Sequence, residues 1–184
     1  MAKMYTRRGD SGETDLIGGM RVPKDDLRIA ALGEVDELNA AIGLAMAVIE
    51  DGDITAALHR VQNDLFTVGA DLSVASGKQL KLPKVTAGHV KALERDIEKL
   101  SRGAASEFVL PGGSMQVACL QLARAIARRA ERAAVALSRR QEFNLHILEY
   151  LNRVSTLLYM LALSVKKSMG LAEEHPKYDR PKRK

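Results

Sequence analysis

Five stretches of the sequence repeat apolar residues at alternating intervals of three and four positions. This spacing collects the apolar side chains on one face of a helix, and it is typical of helices that pack nearly parallel. No stretch alternates apolar and polar residues with a period of two, so we predict an all-α chain without a sheet. The stretches are Val35 to Ile49, Leu58 to Leu72, Val90 to Leu100, Leu120 to Leu137 and Leu148 to Val165.

Turn and capping residues separate these predicted helices. Asp51-Gly52-Asp53 divides the first two, and we expect the side chain of Asp53 to cap the second. The fourth helix is expected to run from about Ser114 to Arg140, with a seam of small alanine side chains that lets its neighbours approach closely. Further predicted caps are Thr86, Ser114 and Asn144 at helix starts and Gly103 at a helix end.

Length and composition narrow the class of protein. The 184 residues predict one domain, residues 1–170, followed by a polar basic tail, residues 171–184, that we expect to be flexible. The net charge of +5 fits an anionic partner, and a nucleotide, a nucleic acid and a membrane surface all qualify. The sequence contains neither a zinc-ligand spacing nor a Ser-His-Asp signature, so we predict no protein-held metal site.

The same composition bears on location. No apolar run approaches the ~20 residues that span a bilayer, and the first residues lack the apolar run of a signal peptide. The single cysteine, Cys119, cannot form an intrachain disulfide and is expected to be a small buried helix residue. We therefore expect a cytoplasmic protein.

Cationic residues stack along one face of the fourth predicted helix. Arg124, Arg128 and Glu131 follow one another at steps of four and three, and Arg132 lies one turn beyond Arg128. Stacked like charges repel, so nearby acids or an anionic ligand must compensate them. A guanidinium suits phosphate because it donates two parallel hydrogen bonds, whereas the alternative is a solvated basic face paired with acids.

A short polar loop, Thr6 to Thr14, precedes the first predicted helix and contains Gly9-Asp10-Ser11-Gly12. Glycines allow backbone N–H groups to approach phosphate oxygens closely. The loop lacks the Gly-Lys-Ser/Thr ending of a P-loop, and in isolation it is more typical of a surface turn. Together with the arginine-bearing helix it predicts an N-terminal nucleotide-binding loop, with a triphosphate nucleotide as the ligand.

Six motifs occur in order along nearly the whole chain, from Met4 to about Lys167. They are Tyr5 to Thr14, Lys24-Asp25-Asp26, Gly33 to Gly43, Phe108 to Gly113, Arg124 to Arg132 and Tyr150 to Ser155. Each motif alone is weak, but their joint order and spacing closely resemble the PduO-type ATP:cob(I)alamin adenosyltransferases.

This resemblance implies a five-helix, up-and-down bundle that assembles as a homotrimer with its active sites between subunits. It implies a reaction in which the Co(I) of a reduced corrinoid attacks C5′ of ATP, accompanied by Mg²⁺, and gives adenosylcobalamin and triphosphate. A flavoprotein-type reductase and a B12-dependent acceptor enzyme are the implied protein partners, and no nucleic acid or membrane is implied.

The resemblance also assigns roles to residues of the nucleotide site. Arg128 and Arg132 would grip phosphate oxygens that gain charge as triphosphate leaves, while Glu131 and Asn152 would position the nucleoside and the metal shell. The residues expected to bind the nucleotide are Thr6, Arg7, Arg8, Gly9, Asp10, Thr14, Lys24, Arg128, Arg129, Glu131, Arg132 and Asn152.

Three further residues are implied outside that set. Arg124 would pair with Asp36 of a neighbouring subunit and so join assembly to the site. Phe108 would press on the corrin face and exclude the lower axial ligand, which makes Co(II) easier to reduce to the nucleophilic Co(I) state. The expected catalytic set is Arg128, Glu131, Phe108, Asp36 and Arg124.

Two positions depart from the family pattern. The family loop usually reads Thr-x-Thr-Gly-Asp, whereas Arg8 stands at the second threonine here. The family usually has Asp after Leu-Asn-Arg-x-Ser, whereas Thr156 stands here, so a carboxylate partner for one arginine is missing. Two alternatives stay open: an ATP- and corrinoid-binding carrier or sensor with little turnover, and a basic helical RNA-binding module, although the scattered Tyr and Phe offer it no stacking platform.

Overall fold

Five helices account for most of the described chain. A computed structural model describes residues 5–75, 77–78, 80–101 and 109–177. The helices are α1 (Leu27–Met46), α2 (Gly52–Leu72), α3 (Ala87–Ser101), α4 (Met115–Ser138) and α5 (His146–Ser168). The predicted number and order of helices are confirmed, and Gly103 lies outside the described residues.

The helices form an up-and-down bundle with α4 in the middle. α4 packs against α1 on one side and α5 on the other, α2 flanks α1, and α3 flanks α5. Arg28 at the start of α1 bonds to Gln141 just after α4, whereas Glu34 further along α1 reaches back to Arg129. Residues further along α1 therefore contact residues earlier in α4, so α1 and α4 run antiparallel.

The predicted alanine seam of α4 lies at the centre of the core. Its small side chains let α1 and α5 approach closely, while large aliphatic side chains from those helices fill the layers around it. Burial of this apolar surface is the main favourable term in folding. The fully buried alanines are Ala123, Ala127, Ala130 and Ala134.

Helix starts agree with the sequence at α4 and differ at α2. Ser114 caps α4, since its hydroxyl accepts from the Val117 N–H at 3.3 Å. The prediction that Asp53 caps α2 is wrong: the cap is Asp51, whose carboxylate accepts from the N–H groups of Asp53 and Ile54. Asp53 lies instead in the first turn, where an acid is favoured by the positive end of the helix dipole.

The start of α5 differs by one residue from the prediction. Leu145 is the residue before the helix and provides no side-chain cap. Asn144 still contributes, because its Oδ1 accepts from the His146 N–H at 3.1 Å while its Nδ2 donates to Asp71 and to the Val85 carbonyl. The amide thus fastens the start of α5 to the end of α2.

A small sheet precedes α1, so the prediction of a chain without a sheet is wrong in this segment. β1 (Glu13–Asp15) pairs antiparallel with β2 (Arg21–Pro23). The turn between them is tied to the end of α2, because the Ile17 N–H donates to the Ser73 carbonyl at 2.9 Å and the Ile17 carbonyl accepts from Ala75 at 3.0 Å. The hairpin is therefore fixed to the bundle.

A buried arginine fastens the start of α1 to its neighbours. Arg28 is 1% exposed and donates to the Leu72 carbonyl at 2.8 Å, to Gln141 Oε1 at 3.0 Å and to the Glu142 carbonyl at 3.3 Å. Burial lowers the pKa of this guanidinium, and the nearby carboxylate of Asp26 acts in the opposite direction. The bond to Leu72 satisfies a carbonyl group that the end of α2 leaves open, and the other two join α1 to the segment after α4.

The residues after α5 return to the segment that leads into α4. The Leu110 N–H donates to the Glu174 carbonyl at 2.7 Å, and the Leu171 N–H to the Lys166 carbonyl at 3.1 Å. The flexibility expected of residues 171–184 stays a prediction, with this attachment at its beginning. In the described part of the chain, none of the helices has the length and apolar character needed to cross a membrane.

Candidate functional site

A cleft between α4 and α5 gathers four of the residues expected to bind a nucleotide. Its volume is about 400 Å³, within the range of small-molecule sites. Helical spacing explains the grouping, because the α4 residues recur at steps of three or four and so face the same side. The lining residues are Arg128, Glu131, Arg132, Val135, Ala136, Arg139 and Asn152.

The charges lining this cleft favour an anion. Arg128, Arg132 and Arg139 supply three guanidiniums, and Glu131 supplies one carboxylate. The Arg132 side chain donates to the Arg128 carbonyl at 3.1 Å, which holds it along the helix surface. Since a guanidinium has five donors in a rigid fork, the cluster retains donors that suit phosphate oxygens.

Hydrogen bonds hold the polar residues on the α5 side of the cleft. Asn152 Nδ2 donates to Glu131 Oε1 at 2.9 Å, and its Oδ1 accepts from Arg153 Nη1 at 2.7 Å. Arg153 Nε donates to Glu94 Oε1 of α3 at 3.0 Å. The Thr156 hydroxyl donates to the Asn152 carbonyl at 3.3 Å, and the carboxylate partner of Arg153 lies on α3.

The predicted nucleotide-binding loop forms a separate unit beside the sheet. Two turns shape it: the Asp10 N–H donates to the Arg7 carbonyl and the Gly12 N–H to the Gly9 carbonyl, both at 3.2 Å. Lys24 lies against the loop, because a Cβ added to Gly9 would stand 3.2 Å from Lys24 Nζ. The glycine therefore permits the close approach of an ammonium group to the loop backbone.

Arg21 holds this loop to the sheet, a role that none of the sequence motifs indicated. Its guanidinium donates to the Arg8 carbonyl at 2.9 Å and to Glu13 at 3.2 Å, and it lies 3.5 Å from Asp15. Arg8 itself pairs with Asp15 at 3.2 Å. The substitution at Arg8 thus places a cation in an ion-pair network with the hairpin, a role that a threonine hydroxyl would not fill.

The backbone of this loop adopts an unusual conformation at Arg7. Its φ is +61°, in the left-handed region that residues with a Cβ rarely occupy. The Arg7 guanidinium lies 5.6 Å from the centre of the Tyr5 ring, a cation–π contact at the surface. Thr6, whose hydroxyl accepts from the Arg8 N–H at 3.4 Å, and Asp10 are exposed, and Thr14 is half-buried in β1.

Asp36 and Arg124 lie on different faces of the chain. Arg124 Nε donates to Gln121 Oε1 at 2.7 Å on α4, whereas Asp36 is exposed on α1. Among the described residues neither forms an ion pair with another. Asp36 lines a mainly apolar groove of about 510 Å³ between α1 and α2, which also contains the 74% exposed ring of Phe66.

Two other predicted site residues, Arg129 and Phe108, are not among the described residues that line the cleft. Arg129 is held by the carboxylates of Glu34 and Glu37 on α1, and its hydrogen bonds to Glu37 and then Glu34 raise its pKa. Its guanidinium therefore turns toward α1, apart from the residues that line the cleft. Phe108 lies outside the described residues.

The described side chains include no group of three or more His, Cys, Asp or Glu residues able to hold a metal ion. Glu131 is the one carboxylate among the described residues lining the cleft. A Mg²⁺ ion prefers oxygen ligands and keeps several waters, and in nucleotide sites it is held largely by substrate phosphates. The donor set therefore fits an ion that enters with a polyphosphate.

Comparison with known proteins gives a consistent result. The sequence profile of the family described as cobalamin adenosyltransferase matches residues 4–165. A corrinoid adenosyltransferase of Bacillus subtilis is 40% identical over 177 residues, covering 93% of this chain and 90% of the relative. A cobalamin adenosyltransferase of Cupriavidus metallidurans is 41% identical over 177 residues, covering 92% and 91%.

A solved structure agrees with the fold as well. A variant of the PduO-type ATP:corrinoid adenosyltransferase from Lactobacillus reuteri, complexed with cobalamin and ATP, superposes with a TM-score of 0.90 at 32% identity. The similarity covers 95% of this chain and 97% of that one. From the extent of these matches and the motifs that carry them, the chain belongs to the cobalamin adenosyltransferase family.

Proposed function

We propose that this protein transfers the 5′-deoxyadenosyl group of ATP to the Co(I) of a reduced corrinoid, giving the adenosylated corrinoid and triphosphate. The observation that carries the proposal is the cationic cleft between α4 and α5, where Arg128, Arg132 and Glu131 meet Asn152. Membership of the family and the similarity to a structure complexed with cobalamin and ATP support the same reaction.

The arginines of the cleft suit the leaving group of this reaction. As the Co–C5′ bond forms, the bond from C5′ to the triphosphate oxygen breaks and its electron pair stays on triphosphate. Negative charge therefore grows on phosphate oxygens, and Arg128 and Arg132 would stabilise it through charge-assisted hydrogen bonds. The transfer itself needs no proton, so none of these residues has to titrate during the step.

Glu131 and Asn152 are proposed to orient the nucleoside end of ATP. A carboxylate accepts hydrogen bonds from ribose hydroxyls or from metal-bound water, and the amide holds that carboxylate at 2.9 Å. Mg²⁺ bound to the phosphates would neutralise part of their charge. Fixing the reacting carbon in one geometry lowers the entropic cost of the bimolecular step.

The N-terminal loop is proposed to wrap the triphosphate, with Lys24 supplying an ammonium group close to Gly9. Among the described residues of one chain, those lining the α4–α5 cleft include none from this loop. A site built between subunits would combine a loop and a cleft from different copies. The residues proposed for the loop are Thr6, Arg7, Arg8, Gly9, Asp10, Thr14 and Lys24.

A homotrimer is proposed as the assembly that brings these parts together. Arg124 and Asp36 lack ion-pair partners among the described residues, and opposite charges on different faces of one chain suit contact between copies. Arg129, already engaged with α1, would then contribute to the bundle more than to the ligand.

The corrinoid is proposed to meet the apolar groove between α1 and α2. Asp36, which the family resemblance assigns to the site, lies in this groove beside the exposed Phe66 ring. Exposed aromatic surface of this kind commonly marks a binding face. Phe108 is proposed to press on the corrin face, with a flavoprotein-type reductase supplying the electron and a B12-dependent enzyme accepting the product.

The second candidate is a carrier or sensor that binds ATP and corrinoid with little turnover. The specific observation behind it is Thr156, which leaves α5 one carboxylate short of the family pattern. The ion pair between Glu94 and Arg153 argues against this candidate, because it gives Arg153 a carboxylate partner from another helix. Measurable formation of the adenosylated corrinoid would distinguish the transferase from the carrier or sensor.

The deciding experiment is an anaerobic assay of chemically reduced cob(I)alamin with MgATP, followed by absorbance and by chromatographic detection of adenosylcobalamin and triphosphate. We expect both products in equal amounts. Binding of both ligands without product would favour the carrier, and absence of binding would overturn the proposal. Omitting Mg²⁺ in the presence of a chelator should raise the KM for ATP.

A further inference from the structure

A chain of three hydrogen bonds leads from the cleft to α3. Glu131 accepts from Asn152, Asn152 accepts from Arg153, and Arg153 donates to Glu94 at 3.0 Å. Of these four residues, Glu131 and Asn152 line the cleft, whereas Arg153 and Glu94 are not among its lining residues. This series of hydrogen bonds runs from α4 through α5 to α3, the helix on the far side of α5 from the cleft.

Donor and acceptor chemistry makes this chain directional. A guanidinium carries donors and no acceptor, while an ionised carboxylate accepts and does not donate. Arg153 must therefore face the amide oxygen of Asn152, and the amide NH₂ must face Glu131. The reversed amide would set its oxygen against the Glu131 carboxylate and its NH₂ against the guanidinium, which loses both bonds.

The orientation of Asn152 thus depends on Arg153 staying in place. Arg153 has a long side chain with several rotatable bonds, and the bond to Glu94 restrains it from the opposite side. Both side chains of this ion pair are 39% exposed, so the pair adds little to folding stability. Its effect is to select one geometry for the amide and, through it, for Glu131.

We infer that Glu94 and Arg153 are positioning residues for the adenosyl transfer: they fix the Asn152 amide and thereby aim the Glu131 carboxylate into the cleft. This inference rests on the proposed function and adds a determinant on α3 to it. Partners that hydrogen-bond to metal-ligating side chains change affinity or activity by about 10- to 100-fold when removed, and we expect an effect at the lower end of that range here.

The test compares two carboxylates of the same helix. Glu94→Ala is expected to raise the KM for ATP by about 10-fold with little change in kcat, because a misaimed Glu131 weakens a contact to the nucleoside that is made equally in the ground state and the transition state. Glu94→Gln keeps an acceptor oxygen for Arg153 and should recover most of the loss. Asp96→Ala is the matched control, since Asp96 also pairs with an arginine, Arg60 of α2, and should leave the KM unchanged.

Coupling to the amide is tested by combining substitutions. In an Asn152→Ala background, adding Glu94→Ala should change the KM by less than about 2-fold, because the residue through which it acts is gone. Independent, multiplying effects would overturn the inference, as would equal KM values for Glu94→Ala and Asp96→Ala. Thermal unfolding should give similar Tm values for those two variants.

Calorimetric titration with MgATP separates failure of this inference from failure of the proposed function. Unaltered protein that binds MgATP, together with a Glu94→Ala variant that binds it equally well, overturns the positioning role alone. Unaltered protein that binds no MgATP overturns the proposed function and this inference together.

Discussion

Arg128 and Arg132 stand one helical turn apart, a spacing at which like charges destabilise a helix unless something compensates them. Glu131 provides one negative charge beside three arginines, so the cleft keeps a positive balance that an incoming polyphosphate would neutralise. Binding of the polyphosphate would then relieve part of the repulsion between these arginines. The same side chains can serve the leaving group because its charge grows where they already lie.

Replacing Arg128 by alanine is expected to lower kcat by about 100-fold, since losing a charge-assisted contact to a developing anion costs ~2–4 kcal/mol. Arg128 is exposed on α4, so Tm should change by less than about 2 °C. Steady-state kinetics and thermal unfolding check both parts, with Arg140→Ala as an exposed arginine control. An unchanged kcat in a folded Arg128→Ala variant would remove Arg128 from the site.

The sequence predicted the grouping of site residues correctly where those residues lie on a single helix. The shared face of Arg128, Glu131 and Arg132 follows from helical spacing alone. The bond between Arg153 and Glu94 joins α5 to α3, and so depends on helix packing and rotamers that no single helix contains. For the same reason the sequence indicated no carboxylate to compensate Thr156.

The hairpin before α1 is too small to be stable without its attachments. Strands of three residues bury little surface, so β1 and β2 depend on the Ile17 backbone bonds to α2 and on the packing of Leu16 and Val22 with Ala75. Three residues are also too few to show a period of two, so the sequence pattern does not predict this sheet. The long helices, with many repeats of their pattern, were predicted correctly.

Substituting Arg21 by alanine is expected to raise the KM for MgATP by about 3- to 10-fold, because the loop would lose its fixed bond at the Arg8 carbonyl and become less preorganised. Since Arg21 contacts only the hairpin and loop among the bonds described above, Tm should fall by less than about 2 °C. Kinetics with varied MgATP measure the effect, and Arg95→Ala on α3 serves as control. Equal KM values for the two variants would contradict a role for Arg21 in loop geometry.

At the scale of the whole molecule, the chain presents two surfaces that its own bundle does not bring together. One is the cationic cleft between α4 and α5, and the other is the groove between α1 and α2 with Asp36 and Phe66. Sequence reasoning could assign residues to these surfaces through the family resemblance. It could not show that Arg129 forms ion pairs with Glu34 and Glu37, because helical spacing alone does not reveal which helix packs against that face of α4.

Charge exchange tests the proposed contact between Arg124 and Asp36. Asp36→Arg and Arg124→Asp are each expected to weaken the trimer, since like charges would meet across the interface. The double variant Asp36→Arg/Arg124→Asp should restore assembly and part of the activity. Sedimentation velocity of all three proteins, with unaltered protein as reference, measures the result. A monomeric reference, or singles that remain fully trimeric, would contradict the contact.

The alanine seam of α4 has a consequence for how this protein can diverge. Buried alanines at Ala123, Ala127, Ala130 and Ala134 alternate along one helix with the residues of the cleft. A larger side chain in the seam would separate α4 from its neighbours, and an uncharged one in the cleft would weaken the anion site. Substitutions in the seam or the cleft are therefore costly, and tolerated changes in α4 are expected at exposed positions that belong to neither, such as Met115 and Leu122.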